Sequence, residues 1–60
     1  MKNMIMGFVN DGRKITIADA RTEITISKDN ILKVDADKIV IRNNNMISWV
    51  RWRDVEYFKF

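Results

Sequence analysis

The 60-residue chain contains no cysteine, no histidine and no proline, and only two glycines. Without cysteine there are no disulfides, thiolate zinc sites or cysteine nucleophiles. Without histidine the chain lacks the commonest metal ligand and the commonest general base, and with them any serine–histidine–aspartate arrangement. Gly7 and Gly12 are too few for a glycine-rich phosphate loop. Catalysis is therefore not expected, and neither are a metal, a cofactor or a small-molecule substrate. No run approaches the ~20 apolar residues that span a membrane. The short apolar run MIMGFV is too brief for a signal-peptide core, and no small-residue cleavage site follows it. The expectation is a soluble, cytoplasmic protein with no membrane partner.

No proline- or serine-rich linker divides the chain, so residues 1–60 are expected to form one small domain. A chain of this size buries only about 60% of the surface that its unfolded form exposes. With disulfides and thiolate metal sites excluded, oligomerisation or docking onto a larger partner is the remaining source of added stability.

The net charge of +3 permits a nucleic-acid partner without requiring one. Its distribution is more informative. Residues 1–41 hold seven basic side chains against six acidic ones. Residues 42–53 hold Arg42, Arg51 and Arg53 and no acid, and residues 54–60 set Lys59 against Asp54 and Glu56. The excess charge thus falls on one hairpin.

KITIADA and EITISKD alternate apolar with polar residues at period two, the mark of a half-buried strand. β-branched residues are dense, which suits a pleated surface. Strands are predicted over residues 4–9, 14–18, 23–27, 31–34, 38–42, 46–51 and 55–59. Turns are predicted at Asn10-Asp11-Gly12, at residues 18–21, 27–30 and 35–37, at Asn43-Asn44-Asn45 and at Arg53-Asp54. No window carries a sustained apolar stripe at helical spacing. The expected fold is all-β, an antiparallel meander of six or seven short strands closed into a small barrel or roll. The tight turn before a final strand resembles SH3-like barrels, a likeness of layout that implies no function.

Two motifs have bland explanations. Asp35 and Asp37 could offer paired carboxylates to a cation, but a calcium loop needs more oxygens and a glycine, so a polar turn is expected. Met4 and Met6 would share one face of the first strand and fill core.

SWVRWRDVEYFKF, residues 48–60, holds five of the six aromatic residues. Trp49 and Trp52 are three apart, so in a regular strand they face opposite sides. A three-residue loop, Asn43-Asn44-Asn45, pairs Ile41 with Ile47 and Ile39 with Trp49 and buries Trp49. A four-residue loop, residues 43–46, pairs Ile41 with Ser48 and Ile39 with Val50, and turns Ile47, Trp49 and Arg51 outward. The two are mutually exclusive. The first is preferred because it brings more apolar residues together, with a bend near Val50 relieving Arg51. In VEYFKF, Val55, Tyr57 and Lys59 share one face and Glu56, Phe58 and Phe60 the other. One aromatic set is left outside the core, on an edge without proline that invites pairing.

Two functions follow as expectations. The first is a non-enzymatic protein-binding module, contacting itself or a larger protein through Arg42, Trp49, Arg51, Trp52 and Arg53, with Tyr57, Phe58 and Phe60. Trp, Tyr and Arg are enriched in interface hot spots. A chain this simple suits a regulator or inhibitor of a larger machine, as a phage or mobile-element accessory protein would be. The second is a small barrel that binds single-stranded nucleic acid, stacking bases on a Trp and Tyr57 beside Lys38, Arg42, Arg51 and Arg53.

Overall fold

The first apolar run is a helix, not a strand. The computed structural model describes residues 1–60, and helix α1 spans Lys2–Asn10. Ile5 and Val9, one turn apart, are its two buried residues, while Met4 is exposed. Phe8 lies between these positions on the same side, so the short run carries a helical stripe that period-two counting hides. The Asp11-Gly12 signal closes this helix and opens no hairpin. Gly12 sits at φ 93°, its N–H donates to the Val9 carbonyl at 2.9 Å, and the Arg13 N–H donates to the Phe8 carbonyl at 3.1 Å. This is the left-handed helix stop that glycine permits.

The strands that follow are β1 Ile15–Ala18, β2 Glu23–Ile26, β3 Ile31–Val34, β4 Lys38–Asn43 and β5 Met46–Arg51. A 3-10 turn, Trp52–Asp54, then leads to β6 Tyr57–Lys59. They form two three-stranded sheets, β2-β1-β6 and β3-β4-β5, all antiparallel. The mostly-β expectation therefore holds with one helix added. No ladder joins the two sheets into a closed barrel.

Two of the connections use the same device. Asp19 Oδ1 accepts the N–H groups of Arg21 and Thr22 at 2.8 and 2.9 Å. Asp35 Oδ1 accepts those of Asp37 and Lys38 at 2.9 and 2.8 Å. An aspartate that satisfies amides two and three residues on folds the chain back without glycine. Asp35-Ala36-Asp37 is thus a polar turn, with the Asp35 carboxylate committed to its own backbone.

The core is aliphatic. Isoleucines 15, 17, 24 and 26 from the first sheet face 39 and 41 from the second, joined by Val50, Val55 and the helix residues Ile5 and Val9. No polar residue is buried. The aromatics lie around this core: Phe8, Trp52 and Phe58 are partly buried against it. Trp52 donates its Nε1–H to the Asp35 carbonyl at 3.0 Å, which ties the 3-10 turn to the β3–β4 turn. Val55 is buried beside it.

The β4–β5 register is the one not preferred from the sequence. Ile39 pairs with Val50, Ile41 with Ser48, and Arg42 with Ile47. Asn43 also pairs with Met46, so the loop shrinks to Asn44-Asn45, with Asn44 at φ 58°. Two-residue loops match the twist of paired strands and need a left-handed residue, which asparagine supplies at little cost. The same register keeps Arg51 out of the apolar core without the bend near Val50 that the preferred one required.

Candidate docking surface

The outer face of the second sheet gathers what the hairpin register turns outward. Lys38, Val40 and Arg42 of β4 stand opposite Arg51, Trp49 and Ile47 of β5, and Lys33 of β3 lies beside Val40. Ile47 and Trp49 are 63% and 57% exposed there, and Met46, on the other side at the hairpin end, is 70% exposed. Trp49 lies between two cations: Lys38 Nζ is 5.7 Å and Arg51 Cζ 6.0 Å from its ring centroid. The acids paired with this face sit in the β3–β4 turn, and Asp19, Glu23, Asp54 and Glu56 line the hollows beside it. Asp35 Oδ2 is 3.8 Å from Lys33 Nζ, and Asp37 Oδ2 is 3.8 Å from Arg51 Nε. Lys38 and Arg42 make no ion pair.

β5 is also an edge strand of its sheet, as β3 is on the other side. The Trp52 N–H donates to the Asp37 carbonyl at 2.9 Å. That bond continues the rungs Ile39–Val50 and Ile41–Ser48. Hydrogen-bonded and non-bonded pairs alternate along an antiparallel ladder. Ser48 and Val50 therefore bond to β4, while the backbone groups of Ile47, Trp49 and Arg51 point away from it. Beyond this edge lies a groove. One hollow of about 520 Å³ separates residues 49–51 from residues 19–21 and the 3-10 turn. A second of about 300 Å³ separates residues 47–50 from Ile17 and residues 22–24. Asp19, Trp49 and Val50 line both.

The eight residues picked from the sequence divide among three places. Arg42, Trp49 and Arg51 share the outer face of β4 and β5. Arg53 lines the larger hollow beside them. Trp52 is half-buried and structural. Tyr57, Phe58 and Phe60 lie on or beside β6 in the other sheet.

Phe58 pairs with Ile17 on the core side. Phe60 meets Phe8 edge-on at 4.8 Å, and Phe58 lies 6.3 Å from Phe8. Arg13 Cζ lies 4.8 Å from the Phe60 ring centroid and 5.6 Å from that of Phe8. α1 thus covers Phe58 from within the chain, while Phe60 stays 66% exposed at the edge of this cluster.

Tyr57 lies on the opposite side of β6. Its hydroxyl donates to Glu23 Oε2 at 2.8 Å, and Lys59 Nζ lies 3.4 Å from the same oxygen. Ala18, the shared cross-strand neighbour of Tyr57 and Glu23, is small enough to let them meet over the middle strand. The Tyr57 hydrogen bond, then the Lys59 ammonium, hold the Glu23 carboxyl below its ordinary pKa. The Glu23 carboxylate in turn raises that of Tyr57.

Ile47 was missed because the preferred register placed it inside; the register with Ile41 opposite Ser48 turns it outward. Comparison with protein-family models, with curated proteins and with solved structures found no match. No group of three or more Asp, Glu, His or Cys side chains is placed to hold a metal, and no helix is long and apolar enough to cross a membrane.

Proposed function

We propose that this chain is a non-enzymatic, cytoplasmic protein-binding module that acts by stoichiometric contact through the β4–β5 hairpin. The observation that carries the reading is the pair Ile47 and Trp49, exposed together on one face of a strand whose edge is open, with Met46 exposed at its hairpin end. Exposed apolar side chains clustered together, rather than scattered, mark interaction sites. A tryptophan flanked by arginine has the composition of a contact hot spot. The SH3-like likeness stays at the level of layout: a 3-10 turn precedes a last strand that returns to the first.

A second reading is favoured by one observation. Lys38 and Arg51 bracket the exposed Trp49 ring, as a base-stacking platform on single-stranded nucleic acid would require. Lys33 and Arg42 join them on that face, but Trp52, Arg53 and Tyr57 lie elsewhere, which favours protein.

A photo-crosslinking amino acid in place of Trp49, and separately in place of Tyr57, tests this in the cells that make the protein. The expected result is a protein adduct at position 49 that nuclease leaves unchanged, and none at position 57. No protein adduct at 49 would overturn the reading. An adduct that nuclease removes would replace it with the second.

A further inference from the structure

The geometry points to β5 as the acceptor of a fourth strand: an extended, acidic segment of a partner protein that lies in the groove beside it. This deepens the reading above and rests on it.

Four strand edges are free in the two sheets, and three of them are blunted. β6 is three residues long. β3 carries a register shift between Ile31 and Lys33. On β2 the Thr25 carbonyl is taken by Asn30 Nδ2 at 2.8 Å. β5 runs six residues in regular register. No side chain and no turn or loop backbone group bonds the outward amides of Ile47, Trp49 and Arg51. Proteins ordinarily guard such an edge, because it is a template for another strand. An added strand gains affinity from main-chain bonds and specificity from alternate side chains. The groove leaves room for it, with Ile17 and Ile24 beside Val50 to receive its inward side chains.

Charge selects the occupant. The added strand's outward side chains would join the face that carries Lys33, Lys38, Arg42 and Arg51, of which Lys38 and Arg42 have no acid partner. Carboxylates fit on that outer side alone, because Asp19, Glu23, Asp54 and Glu56 line the groove itself, where the inward side chains must be apolar. A second copy does not: twofold pairing of β5 with itself would bring Lys38, Arg42 and Arg51 of both copies onto one face. Like charges so placed disfavour the pairing.

The test is an amide NMR titration of the labelled protein with a capped octapeptide of alternating glutamate and valine. Its lysine–valine counterpart is the charge control. Two N-methylated forms, one modified at every glutamate and one at every valine, are the edge controls. The acidic peptide is expected to shift Ile47, Trp49 and Arg51 and slow their amide exchange, leaving Ser48 and Val50 as they were. The lysine peptide should not bind. One N-methylated form should bind like the parent and the other about tenfold more weakly, because only one peptide edge faces β5. Equal binding of both forms, or of the lysine peptide, overturns the proposal. So does the absence of binding at millimolar peptide. Shifts confined to the Lys38, Arg42 and Trp49 side chains, with edge amides unprotected, overturn strand addition but leave docking on the hairpin face intact. Protection already present in the free protein, with a dimer by light scattering, assigns the edge to a second copy instead. Stronger effects from an octathymidylate than from the acidic peptide overturn both this inference and the protein reading.

Discussion

At the scale of single residues, the two tryptophans have separate roles. Trp49 stands out from β5, while Trp52 packs on the core and bonds to the Asp35 carbonyl. Trp49→Ala is expected to change stability by less than about 0.5 kcal/mol, and Trp52→Ala to cost about 3 kcal/mol, both read from urea unfolding. Acrylamide should quench the emission of Trp49 in a Trp52→Phe variant more strongly than that of Trp52 in a Trp49→Phe variant. From the sequence it was clear that one tryptophan faces in and the other out, because three residues separate them. Which one faces in was not, since that turns on a single residue of loop length. Tyr57 makes its own prediction. Its hydroxyl is the leading cause of the lowered Glu23 pKa, so Tyr57→Phe should move the Glu23 titration upward, towards the ordinary carboxyl value, as followed by side-chain NMR.

At the scale of elements, the β4–β5 turn and helix α1 decide the architecture. Asn44 holds a left-handed conformation. Asn44→Gly should be close to neutral in urea unfolding, while Asn44→Val should cost about 1–2 kcal/mol, because a β-branched side chain crowds the following carbonyl there. Strand positions 15–51 were largely legible, since KITIADA, EITISKD and KIVIR alternate cleanly between core and solvent. Helix α1 was not. Its nine residues hold only two full turns, and Met4 and Met6 mimic a strand face. Only packing against the sheets decides for the helix, as is usual for one this short. Phe8 is what that helix brings to the last strand. Phe8→Ala should therefore cost about 2–3 kcal/mol, and Phe58 and Phe60 ring resonances should lose their dispersion.

At the scale of the whole molecule, eleven buried residues, all apolar, hold sixty together. Cores of this size supply about 3–5 kcal/mol, so small terms count. Asp19, Glu23 and Asp35 all have lowered pKa values. The leading causes are turn amides for the two aspartates and the Tyr57 hydroxyl for Glu23. A carboxyl whose folded pKa lies below its unfolded one stabilises the fold above the unfolded value, and that stability is lost as pH falls through the folded value. The urea midpoint should thus drop as pH falls below about 4, and the drop should shrink in Asp19→Asn. The period-two alternation and the β-branched residues made the mostly-β character legible. The open arrangement of two sheets was not, because closing a barrel depends on where strand edges meet, which no local pattern records. The proposed docking role rests on one of those edges. Native-state amide hydrogen exchange along β5 tests it most directly. Fast exchange at Ile47, Trp49 and Arg51 alternating with slow exchange at Ser48 and Val50, unchanged by dilution, is the predicted result. Uniform protection across all five amides would mean that the edge is already covered, and would contradict an open docking strand.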